Sequence, residues 1–129
     1  MKKLYRLMKT DTDGKPLVGS GSMMLGVRPT DPALPQNTFD VPAVVGTDVV
    51  HPGEGGLSCY TEASAIKLRS KKLSLWSIDV ADLPQELIPK PAGDPHHHIE
   101  PNLDVTLDEL QQLLAETRDL WEREDGGTP

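Results

Sequence analysis

The sequence predicts one α+β domain. Strand-length segments with alternating apolar residues fill most of the chain, an amphipathic segment with a capping signature lies near its end, and the whole has 129 residues, the usual length of one domain. Residues 3–123 are read as that domain and 124–129 as a frayed tail. The first strand is read in Lys3–Lys9, where Leu4, Arg6 and Met8 face one way and Tyr5 and Leu7 the other. Asp11-Thr12-Asp13-Gly14 follows as a turn, because Asp-Gly supplies positive φ. Residues 28–56 are rich in Pro, Gly, Asp and Thr and read as a long loop, with the apolar piece Val41–Val50 packing part of it.

Leu57-Ser58-Cys59-Tyr60 reads as a second strand, followed by a short helix from Glu62 to Arg69 capped by Thr61. The best strand is Leu73–Val80, with Trp76, Ile78 and Val80 on one face and Leu73, Leu75 and Ser77 on the other. Asp82 is expected to cap a turn of helix carrying Pro84, with Leu83 and Leu87 facing inward. His96–Pro101 reads as another strand. Thr106-x-x-Glu109 is a capping box. Leu107, Leu110, Leu114, Thr117 and Trp121 then mark one apolar stripe on a helix of about 16 residues.

Composition narrows the function classes. The net charge is −7, so general nucleic-acid binding is disfavoured. The charge is uneven: bases gather at Lys2–Lys9 and Lys67–Lys72, and acids between Asp104 and Asp125. The one cysteine, Cys59, cannot form an intrachain disulfide and reads as a small buried hydrophobe. No apolar run reaches the roughly 20 residues of a membrane span. The opening MKKLYRLMKTDTDG has no apolar centre, so a cleaved leader is not expected and the cytoplasm is the expected compartment.

Four places carry candidate chemistry. Arg6 lies on an apolar strand, where its planar fork meets either an internal acid or the phosphate or carboxylate of a ligand. Gly53-x-Gly55-Gly56 precedes Leu57-Ser58-Cys59-Tyr60 and lets backbone approach a ligand closely. It is neither a Walker A loop nor a dinucleotide fingerprint. Ser58 and Tyr60 share a strand face, so a hydroxyl and a ring stand together for a flat heterocycle, or form an ordinary strand. His98 and Glu100 share another face: the histidine suits a ribose hydroxyl and the carboxylate a developing positive charge, unless this is only a polar edge strand. His96 and His98, with His51 or Cys59, lack the paired spacing of a zinc site, and no metal is expected.

Leu4-Tyr5-Arg6 on the first strand and Gly55-Gly56-Leu57-Ser58 in the middle occur in an order that resembles a known family. An apolar strand, Asp82-Leu83-Pro84-x-x-Leu87 and a histidine-containing strand follow, and the chain ends on a helix closing Thr117-Arg118-x-x-Trp121. In this order it resembles the type VI secretion effector toxins with an ADP-ribosyltransferase-like fold, over Leu4 to about Trp121. The resemblance implies a small split β-sheet core, a cleft for nicotinamide adenine dinucleotide (NAD), and transfer of ADP-ribose to a cytosolic target. It implies catalytic roles for Arg6, Ser58, Tyr60, His98 and Glu100, and NAD contacts from Arg6, Gly56, Ser58 and Tyr60. The glutamate-x-glutamate and Ser-Thr-Ser motifs of such families are missing. A neutralising immunity or antitoxin partner and delivery by a leaderless secretion system are implied as well. The alternative is a nucleotide-binding or protein-interaction module that does not turn over.

Overall fold

In the computed structural model, which describes residues 2–35, 39–66 and 72–124, the alternating segments assemble into a sheet of six strands. In chain order the strands are β1 Lys3–Lys9, β2 Val49–Val50, β3 Leu57–Tyr60, β4 Leu73–Asp79, β5 Leu87–Pro91, β6 His96–Pro101, β7 Val105–Thr106 and β8 Glu122–Arg123. The large sheet runs β5-β6-β3-β1-β4-β8, with every pair antiparallel, and β2 with β7 forms a separate small ladder. One helix, α1 Leu107–Glu116, packs near the C-terminal end of the described chain. The domain is α+β, as the patterning predicts.

Period-two patterning sorts the side chains as expected. Leu4 and Met8 of β1, Leu57 and Cys59 of β3, Trp76 and Ile78 of β4 and Ile99 of β6 enter the main core. Leu107, Leu110, Leu114 and Trp121 cover it from the helix side, Leu25 and Val27 close it from the segment before the long loop, and Val41, Ala43 and Val50 from the long loop itself. That loop therefore holds its place mainly by burying apolar side chains, with the two residues of β2 as its strand. Leu7, Ile66 and Leu75 make a smaller cluster on the opposite face, flanked by Tyr5, Met23 and Tyr60.

Four expectations are corrected. After β3 there is a single 3₁₀ turn, Ala63–Ala65, in place of the start of a helix. Thr61 does not cap it: its hydroxyl donates to the Pro95 carbonyl. Residues 67–69 of that expected helix lie outside the described residues, as do Lys67, Arg69 and Lys71 of the basic run. Second, the turn after β4 is Val80–Asp82 and is capped by Asp79, not Asp82; Leu87 then starts a strand. Pro89 and Pro91 are tolerated in β5 because it is the edge of the sheet, where missing N–H donors break no ladder. Leu87 is nevertheless buried and Leu83 packs on the core, as read.

Third, α1 has 10 residues and stops at Glu116. Thr117 ends it: its buried hydroxyl donates to the Leu114 carbonyl at 2.6 Å and accepts from Trp121 Nε1 at 3.0 Å. The apolar stripe is real, but its last two members sit on a 3₁₀ turn and the residue after it. Fourth, Glu124, read as the first residue of the tail, is tied to the sheet, while residues 125–129 lie outside the described residues. β8 adds an edge strand to β4, Glu124 N–H donates to the Leu75 carbonyl at 2.8 Å, and the Ser77 hydroxyl donates to the Glu124 carboxylate. The capping box is present in full, with Thr106 accepting from Glu109 N–H and Glu109 accepting from Thr106 N–H.

Candidate functional site

The site begins where the sheet parts. β1 pairs with β4 along its whole length, from Lys3↔Asp79 to Lys9↔Leu73, whereas with β3 it keeps only the register Tyr5↔Tyr60. Past that pair β3 leaves, and the segment Leu17–Met24 takes its place beside β1. There Lys9 N–H donates to the Met23 carbonyl at 2.8 Å and Leu17 N–H to the Lys9 carbonyl at 2.9 Å.

Arg6 occupies the fork. Its Nη1 donates to the Ser58 carbonyl at 2.8 Å and its Nη2 to the Met24 carbonyl at 2.9 Å. Its Nε is sealed from solvent with no hydrogen-bond partner, and among the described residues no carboxylate pairs with it. Burial pulls the guanidinium below its ordinary pKa; Cys59 and the Asp40 carboxylate oppose that shift, and Arg28 adds slightly to it. A cation held in this way attracts an anion.

The fork opens into a cleft of about 220 Å³ lined by Arg6, Ser22, Met23, Arg28, Ser58 and Tyr60, with Leu7 and Ile66 as its apolar wall. Met23 has φ 59°, a left-handed conformation uncommon outside glycine, and such strain gathers at ligand sites. Arg28 is fixed by Asp40, which accepts from Arg28 N–H at 2.8 Å and from Nε and Nη2 at 3.2 Å each. Sequence reading passed over Arg28 and the Ser22–Met23 segment, because nothing in a loop pattern says which residues fold back onto a strand.

Three of the residues singled out from the sequence, Arg6, Ser58 and Tyr60, therefore meet in one cleft. His98 stands one strand further, opposite Ser58 in the β3–β6 register, and is not part of the lining. Tyr60 packs on His96 with ring centres 4.7 Å apart. Glu100 shares the His98 face, but its carboxylate is buried beneath the glycine loop. It accepts from Gly53 N–H at 2.8 Å and lies 3.6 Å from His98 Nδ1. Gly56 is buried against β6: a Cβ there would stand 2.2 Å from the Ile99 carbonyl oxygen. Its lack of a side chain serves the approach of two strands.

Cys59 is wholly buried and its thiol is pushed up to about 12, mainly by desolvation. Among the described residues no group of three or more His, Cys, Asp or Glu side chains is placed to hold a metal ion, and no helix is long and apolar enough to cross a membrane. Compared with protein-family models, curated proteins and solved structures, the chain matches none of them.

Proposed function

We propose that the chain is a toxin-like ADP-ribosyltransferase that uses NAD to modify a cytosolic target. The supporting observation is the Arg6 guanidinium, without a carboxylate partner among the described residues, at the fork of a parted sheet and lining a cleft shared with Arg28, Ser58 and Tyr60. The donor set fits a diphosphate flanked by a flat ring. Arginine supplies charge and a planar fork, Tyr60 a π face, and Ser58 a hydroxyl. Within the one six-stranded sheet, the single register pair that joins β1 to β3 is the feature that a split core of the kind implied by the resemblance would use.

In this reading the reaction breaks the nicotinamide–ribose bond, nicotinamide leaves with the bonding electrons, and a nucleophile on the target takes its place. Arg6 holds the diphosphate, Tyr60 stacks on the nicotinamide, and Ser58 orients the ribose. Binding without turnover is the second reading. It is favoured by the engagement of Glu100 with Gly53, which keeps that carboxylate away from the cleft lining.

The test is chromatographic detection of nicotinamide released from NAD by the full chain, beside growth of cells expressing it. Release and growth arrest, both lost in Tyr60→Ala with unchanged circular dichroism, are expected. Binding of NAD without release establishes the second reading, and healthy growth at high expression with neither binding nor release overturns both. A neutralising immunity partner belongs to the same proposal and is checked by capture of a protein that restores growth.

A further inference from the structure

The cleft at the fork is small for a dinucleotide, since ligand pockets usually span roughly 300–1,000 Å³. It does not end at its own rim. A groove of about 630 Å³ adjoins it, and Ser22 and Arg28 belong to the lining of both. Beyond Arg28 the groove is walled by Pro29, Pro32, Leu34 and Phe39, with the polar Thr30 and Asp31 between them. Phe39 is the chain's one phenylalanine and is only partly buried. The fork thus leads past one arginine into a largely apolar channel with an aromatic ring.

Arg28 is built for that boundary. Asp40 takes its Nε–Nη2 edge and its backbone N–H, which fixes the side chain's direction. Among the described residues no acceptor meets Nη1, and the side chain remains 35% exposed. A guanidinium already neutralised on one edge and open on the other holds a phosphate without the cost of ordering a free side chain. Arg6 lines the other side of the cleft; its Nη1 and Nη2 donate to the Ser58 and Met24 carbonyls and its Nε is sealed from solvent, so it lends the cleft a fixed positive charge. Two fixed guanidiniums along one cleft suit a diphosphate, and the channel beyond suits the nucleoside on its far side.

We infer that Arg28 is the second half of a diphosphate clamp and that the groove walled by Pro29, Pro32, Leu34 and Phe39 receives the adenosine end, so the site selects a nucleoside diphosphate over a mononucleotide. The inference rests on the NAD reading for the direction of the ligand, but its test does not require turnover.

The test is calorimetric titration of the full chain with adenosine diphosphate, nicotinamide mononucleotide and inorganic pyrophosphate. Adenosine diphosphate is expected to bind at least tenfold more tightly than nicotinamide mononucleotide. Arg28→Gln should weaken both adenosine diphosphate and pyrophosphate by about 10–100-fold, the range of a lost charged hydrogen bond. Phe39→Leu keeps the apolar wall and removes the ring, so it should weaken adenosine diphosphate by about tenfold and leave pyrophosphate unchanged. If Arg28→Gln fails to fold, Phe39→Leu alone decides the groove. Equal affinity for the mononucleotide, or indifference of adenosine diphosphate to both changes, overturns the inference even if nicotinamide is released from NAD. Adenosine diphosphate binding with this pattern upholds it even if no nicotinamide is released, in which case only the transferase reading falls.

Discussion

Arg6 Nη1 and the Ser58 carbonyl lie 2.8 Å apart across the point where β1 and β3 cease to pair. The arginine therefore replaces a missing ladder bond with a charged one and, through Met24, ties the inserted Leu17–Met24 segment to the same fork. Arg6→Ala removes both bonds and strands two carbonyls. Hydrogen bonds to charged groups contribute roughly 1.5–3 kcal/mol each, so a loss of about 3–6 kcal/mol is expected in urea unfolding. A change within error would mean that the fork is held by other contacts.

Gly56 is where β3 and β6 come closest. A Cβ there would meet the Ile99 carbonyl oxygen at 2.2 Å and its carbon at 2.9 Å, both of them backbone and unable to swing away. Gly56→Ala is expected to cost about 1–3 kcal/mol by forcing the strands apart. Gly53 offers the contrast. Its own Cβ would meet nothing within 4 Å, but its φ of 92° makes a substitution strained by conformation alone.

How much of this was legible beforehand follows from range. β1, β3, β4 and β6 and the capping box at Thr106 are written in local patterns of two and of three or four residues, and the structure keeps them. β5 was hidden by Pro89 and Pro91, which argue against a strand unless the strand is known to be an edge. The end of α1 was hidden because Thr117 and Trp121 keep the helical spacing while bonding to each other off the helix. In the cleft, Arg6, Ser58 and Tyr60 could be picked by type and facing. Arg28 could not, because Asp40 holds it in place from a loop with no periodicity.

Cys59 should behave as core. It is fully buried with its thiol raised to about 12, so the thiolate is scarce at neutral pH. A thiol-specific maleimide at pH 7.5 is expected to label the native chain far more slowly than the urea-unfolded chain. Equal rates would place Cys59 at the surface.

Thr117→Val tests the device that ends the helix. The hydroxyl is buried, bonded to the Leu114 carbonyl and to Trp121 Nε1, and valine preserves its shape. The indole N–H loses its partner while the Leu114 carbonyl keeps the Thr117 backbone N–H, so about 1–3 kcal/mol of stability should go, with altered Trp121 fluorescence in the folded state. Unchanged stability would show that these groups find other partners.

His51 Nδ1 lies 2.9 Å from Asp104 Oδ1, and together they join the residue after β2 to the approach to β7. Asp104 raises the His51 pKa above its ordinary value, first through the hydrogen bond and then by charge. A raised folded pKa means the folded state holds the proton more tightly. The stabilisation is fully present below the ordinary histidine value, near 6.5, and fades as pH rises through the folded midpoint. Both side chains are more than half exposed, so the effect on unfolding is small and is best read by following the His51 ring signals in an NMR titration. The midpoint should lie above 6.5 and fall back toward it in Asp104→Asn. A midpoint at or below the ordinary value in the unsubstituted chain would mean that the pair does not persist in solution.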